Sequence, residues 1–141
     1  MKLLGDDADV DLLATACFAS ADWLADIGRR WADRVETAQW QCKKADHHRR
    51  IARDRKYNAE IHALGLRQLA RDLRHHATWI RDRTGQLNAF EDLVRGWFDS
   101  GAADAKVPPG QPPCERPAYP ARGDPDWQNV IDKLRRDGAD I

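Results

Sequence analysis

A chain of 141 residues has the length of one domain; its 42% hydrophobic content suffices for a core, and its 33% charged content is that of long solvated helix faces. Lys+Arg and Asp+Glu both total 23, so no global field draws in nucleic acid or a membrane surface, and any such binding needs a local patch. Met1–Asp7 lacks the apolar core of a secretory leader, no stretch nears the ~20 apolar residues of a membrane span, and the three cysteines Cys17, Cys42 and Cys114 have no CxxC spacing, which argues against a disulfide framework and for a reducing, cytoplasmic setting.

The first expected element is a long helix. Asp6, Asp7, Asp9 and Asp11 crowd its first turn, where carboxylates meet the positive end of the helix dipole. Val10, Leu13, Cys17, Leu24, Ile27, Trp31, Val35, Ala38, Cys42 and Ala45 then recur at helical steps and form one stripe. A second stripe, Leu66, Leu69, Leu73, His76, Ile80, Leu87, Phe90, Val94 and Trp97, keeps a near-heptad rhythm with His76 and Arg83 as its polar positions. The stripes span about 36 and 32 residues, or about 54 and 48 Å at ~1.5 Å per residue. Matched lengths and the absence of proline before Pro108 predict an all-α fold: a long antiparallel helical hairpin, coiled-coil-like, over residues 1–100. The charged run Lys43–Glu60 between the stripes is expected to hold the tip, near residues 46–57. LATACFASADWLAD (Leu13–Asp26) and LARDLRHHATWIRD (Leu69–Asp82) share Leu, Ala, Ala, Trp and Asp and an aliphatic residue (Leu24/Ile80) among fourteen positions, the pattern of an internal repeat.

Residues 101–123 hold six of the seven prolines and read as a semi-extended linker whose plain role is a tether. Residues 124–141 read as a C-terminal amphipathic helix. Asp124 caps it, Pro125 opens it, Trp127, Val130, Ile131 and Leu134 line one face, and Gly138 ends it. At about 13 residues it is marginal alone, so it is expected to dock, in cis or on a partner. Trp79, Phe90, Leu93 and Trp97 on one flank of the second helix need cover, and a tail folded back with Trp127 as anchor supplies it.

No motif of metal, cofactor or catalytic chemistry occurs. Cys42 and His47 are five apart, and His47–His48 and His75–His76 diverge by about 100° on a helix, so none forms an i, i+3 or i, i+4 ligand pair. GxSxG, P-loop and GxGxxG patterns are missing. The expectation is a non-enzyme with no cofactor and no small-molecule ligand. Aromatic side chains mark the candidate partner-binding positions: Phe18 and Trp40, nearly opposite the first stripe, with Trp79, Trp97 and Trp127. The alternative is nucleic-acid binding through Lys43, Lys44, Arg49, Arg50, Arg53, Arg55 and Lys56, which face only Asp46 and Asp54 and give a local net charge of +5. The plain reading of that segment is a solvated tip paired with acids elsewhere.

Arginine far outnumbers lysine, with frequent Ala and Asp, the usage of a GC-rich genome such as an actinobacterium or its phage. A helical hairpin of this composition, above all LRQLARDLRHHATWIRDRTGQLNAFEDLVRGW (Leu66–Trp97), resembles the WXG100 (ESAT-6-like) proteins of type VII secretion over roughly residues 8–100. The resemblance implies a secreted or secretion-associated dimer partner. The Trp-x-Gly turn is absent, and Tyr119 is followed four residues later by Gly123 rather than an acid, so no functional residue carries over. The expected function is therefore a helical protein–protein interaction module, acting as scaffold, adaptor or assembly subunit, with another protein or itself as a homo-oligomer. A small phage or host regulator that docks on a partner protein is a further alternative.

Overall fold

The computed structural model describes residues 5–38, 43–112 and 115–141, without the side chain of Lys43. Every regular element among them is a helix: α1 (Asp7–Thr37), α2 (Lys43–Asp99), the four-residue α3 (Ala102–Ala105) and α4 (Asp126–Arg136). The chain divides into two compact units, a hairpin unit of Asp7–Ala77 and a tail unit that includes Thr78–Ile141.

In the hairpin unit α1 packs antiparallel on the first part of α2. Asp22 pairs with Arg67 and Glu36 with Arg53 across the two helices. The seam between them is made of alanine. Ala14, Ala21 and Ala32 on α1 and Ala45, Ala52, Ala63, Ala70 and Ala77 on α2 are the fully buried residues described in this unit. On α2 they belong to a strict heptad in which Ala45, Ala52, Ala59, Leu66 and Leu73 alternate with Ala63, Ala70 and Ala77. Seven-residue spacing keeps one edge of a helix facing its partner. Small side chains on that edge let the backbones approach closely, while each buried methyl contributes only about 0.8 kcal/mol.

Two expectations change. The run Lys43–Glu60 is not the tip: α1 ends at Thr37 and α2 already begins at Lys43. Lys, Arg, Ala and Glu are strong helix formers, so a segment poor in apolar residues stays helical. The earlier connection is what brings Ala52, Ala63 and Ala70 opposite the alanines of α1. The first stripe is also turned from the seam in part, whereas Leu66 and Leu73 of the second stripe hold seam positions and its Leu69 and His76 turn outward. Leu13, Ile27, Trp31 and Leu69, expected within the seam, are 38–54% exposed, and His76 is exposed. On α1 these large side chains flank the contact, because small residues, Ala14, Ala21 and Ala32, hold the edge that faces α2.

In the tail unit the same α2 heptad continues with Ile80, Leu87, Val94 and Phe98, so large side chains replace small ones on this edge of α2. Leu87, Val94, Phe98, Ala103, Trp127, Ile131 and Leu134 form one core, with Phe90, Trp97, Tyr119 and Val130 packed against it. α4 therefore docks in cis, with Trp127 fully buried. The Asp124 carboxylate accepts the Asp126 amide at 2.9 Å at the start of α4. Gly138, at φ 99°, ends it and lets the Ala139 amide reach the Leu134 carbonyl at 2.9 Å. The Pro-rich stretch is more than a tether. Arg116 pairs with Asp99 at 3.2 Å, the Tyr119 ring lies 5.6 Å from that of Trp127, and Trp127 Nε1 donates to the Ala121 carbonyl at 3.0 Å. Arg122 and Arg95 both reach the buried Glu91 carboxylate, at 3.4 and 2.8 Å, which supplies the pairing that a carboxylate removed from water requires.

Candidate partner-binding surface

The two faces of the hairpin unit differ in chemistry. Residues next to the seam on one side are ion-paired: Asp22 with Arg67 at 3.1 Å, Glu36 with Arg53, and Asp26 with both Arg29 and Arg30 at 2.8 and 2.9 Å. The Arg53 hydrogen bond holds the Glu36 carboxyl below its usual value and raises the Arg53 guanidinium. The other side is apolar along α1. Leu13, Leu24, Ile27 and Trp31 repeat at the heptad positions adjoining the seam on this side, joined from α2 by Leu69. Leu13 is 54% exposed, Leu69 48%, Ile27 42% and Trp31 38%. Arg55 lies over the Trp31 ring, 5.3 Å from its centroid, and ties α2 to this face. Tyr57, Ile61 and Leu64 add a second exposed apolar run along the outer edge of α2.

Of the aromatic candidates, Trp97 and Trp127 meet in the tail-unit core. Phe18, expected opposite the seam, is half-buried beside it because the true seam is phased through Ala14 and Ala21; Arg74 covers its ring at 4.6 Å. Trp40 lies outside the described residues. Trp127 is fully buried in the tail-unit core, and Trp97 is half-buried with its ring edge on Phe98, 5.0 Å between centroids. Trp79 is 51% exposed. Trp97 also borders a cleft of about 530 Å³ in the tail unit, with Val130 and Leu134 on one wall, Pro108 and Pro112 on another, and Lys106, Arg116 and Lys133 among the remaining lining residues.

Three arginines of the basic segment are engaged with their own chain. Arg53 donates to Glu36, Arg55 stacks on Trp31, and Arg49 reaches both Asp46 at 3.1 Å and the Ala38 carbonyl at 3.3 Å. Lys56 is half-buried, while Lys44 and Arg50 are exposed. These cations therefore spread around a helix rather than line one groove. Among the described residues no group of three or more His, Cys, Asp or Glu converges as a metal site, and no helix is long and apolar enough to cross a membrane.

Part of the first stripe, Leu13, Ile27 and Trp31, lies open to water beside the inter-helix contact, while its Ala45 is buried in the seam. Sequence reasoning did not single out Arg55 in its stacking role on Trp31; the signal was the alanine heptad, which sets the edge of α2 that faces α1. Comparison of the chain with protein-family models, with curated proteins and with solved structures gives no match.

Proposed function

We propose that this chain is a non-enzymatic helical interaction module, a scaffold, adaptor or assembly subunit of the cytoplasm that binds protein through the apolar face of its hairpin. One observation carries this reading. Every fully buried residue described in the hairpin unit is an alanine, while Leu13, Ile27, Trp31 and Leu69 stay substantially exposed. Burying a large apolar side chain is worth about 1.5–3 kcal/mol, several times the yield of an alanine methyl. The unit thus leaves several large apolar side chains open to water, and an exposed apolar patch marks an interaction surface.

The test is the mass of the purified chain by light scattering across a concentration series, together with complex formation from the host lysate. A concentration-dependent mass or a stable complex is expected, and Ile27→Glu, at a position already half open to water, is expected to abolish it without loss of helix content. A strictly monomeric chain with no partner at high micromolar concentration overturns the proposal.

A further inference from the structure

We infer that the surface of α2 and α4 beneath residues 115–122 is a recognition groove for a proline-rich segment that carries arginine, an aromatic ring and arginine at every third residue, and that the chain's own segment is a displaceable occupant of it. The inference concerns the tail unit and stands apart from the hairpin face.

The segment is built to be extended. Pro117 and Pro120 fix their own backbone angles and hold Arg116 and Tyr119, the residues before them, away from the helical region. Such a chain favours the polyproline II helix, which has three residues per turn and no internal hydrogen bonds. Among the described residues, 115–120 make no hydrogen bond from main chain to main chain.

The contacts of the segment keep the same period of three. Arg116 pairs with Asp99 at 3.2 Å, Tyr119 lies against Trp127 with ring centroids 5.6 Å apart, and Arg122 reaches Glu91 and Asp92, each at 3.4 Å. Glu91, Arg95 and Asp99 follow one another at steps of four and so share one face of α2. Arg95 covers the Tyr119 ring, 4.4 Å from its centroid, and the acids on either side of it receive the two arginines. Trp127 Nε1 donates to the Ala121 carbonyl at 3.0 Å. An aromatic wall for a preformed extended chain is how proline-rich segments are read; here the indole donor fixes the main chain, and the acids select its arginines. Each contact is made to a side chain or carbonyl that a separate peptide of the same pattern also presents.

One contact is imperfect. The Tyr119 hydroxyl is buried and has no hydrogen-bond partner among the described residues. A buried polar group without a partner weakens the contact it belongs to, so the resident segment is a poorer ligand than the same pattern with phenylalanine at this place. That difference lets a partner displace a segment held beside the groove by its own chain, at an effective concentration on the order of millimolar.

Fluorescence anisotropy of a labelled peptide with the sequence of residues 115–123, ERPAYPARG, tests this against the full chain. The chain is used as the parent and as Tyr119→Ala/Arg122→Ala, which weakens the resident segment and leaves Glu91, Arg95, Asp99 and Trp127 in place. The peptide should bind the double variant at least about tenfold tighter than the parent, because the groove is no longer filled, and should return the Trp127 indole N–H resonance to its position in the parent chain. A Tyr119→Phe peptide should bind about tenfold tighter again, and a peptide with both arginines changed to glutamate should not bind. No binding to the double variant at millimolar peptide, equal binding to parent and variant, or equal binding of the glutamate peptide overturns the groove. A Tyr119→Phe peptide that binds no tighter overturns the displaceable occupant. If the double variant loses helix content by circular dichroism, Arg122→Ala, a change at a side chain that is 60% exposed, takes its place and the same outcomes decide.

Discussion

Gly28 faces Ala59 across the hairpin so closely that a methyl group added to Gly28 would lie 2.8 Å from the Ala59 β-carbon. No pair of methyl groups tolerates that distance, so this point sets how near α1 and α2 can lie. Gly28→Ala gains helix propensity, about 1 kcal/mol, but overpacks a rigid contact at a cost of about 1–3 kcal/mol. A net loss of stability is expected in urea denaturation. Adding Ala59→Gly removes the clash, so the double-mutant cycle should show a favourable coupling of about 1–2 kcal/mol. Simple additivity would mean that the helices do not touch there.

Trp127 is the anchor of the tail unit. Trp127→Ala removes a fully buried indole and should cost about 3–5 kcal/mol. It also frees the Ala121 carbonyl and takes away the surface on which Tyr119 packs. Faster proteolysis within residues 115–123 is the expected readout. Trp127→Phe keeps the packing and loses the hydrogen bond, and should cost only about 1–2 kcal/mol. Unchanged cleavage in Trp127→Ala would show that the strap is held by its arginine pairs alone.

The Glu36–Arg53 pair predicts an acid effect. The Arg53 hydrogen bond, with the charges of Arg53, Arg49 and Lys56, holds the Glu36 carboxyl below its ordinary value of 4.5. A group depressed on folding contributes stability that is present above its unfolded value and lost as pH falls through the folded one. Glu36→Gln should therefore be less stable than the parent at pH 7, with a difference that shrinks below about pH 4.5 and vanishes in stronger acid. Because both side chains face solvent, added salt should also narrow the difference at pH 7. A gap that is constant from neutral to acid pH would sink this assignment.

The pairing of the basic segment predicts weak binding to nucleic acid. With Arg49, Arg53 and Arg55 each engaged on its own chain, few phosphates can be neutralised together. Electrophoresis of duplex DNA at 100 mM salt should show no shift. A shift whose salt dependence reports about five or more phosphate contacts, removed by changing Arg49, Arg50, Arg53 and Arg55 to Glu, would assign the segment to nucleic acid instead.

The sequence already contained the helices, the amphipathic tail and its caps, because these are local. Acidic residues at the start of α1, Asp124 and Gly138 around α4, and apolar spacing at three and four each act within a turn or two. The position of the hairpin turn was not legible. Between Gly28 and Gly65 no glycine or proline punctuates the chain, and a charged run reads equally well as a tip or as a solvated helix. The candidate surface was half legible. Leu13, Leu24, Ile27 and Trp31 stood out, but hydrophobic size suggested that they formed the contact.

What the residues alone determined is that the chain is helical and hairpin-forming, with a tail that must dock, since backbone propensity, capping and periodicity are short-range properties. Only the tertiary structure decided which edge of each helix faces inward. Alanine lines that edge, its small side chain lets the backbones lie close, and Leu13, Ile27 and Trp31 stand outside the contact. Their exposure is thus a consequence of how the backbones pack, a quantity that no pattern along a single helix contains.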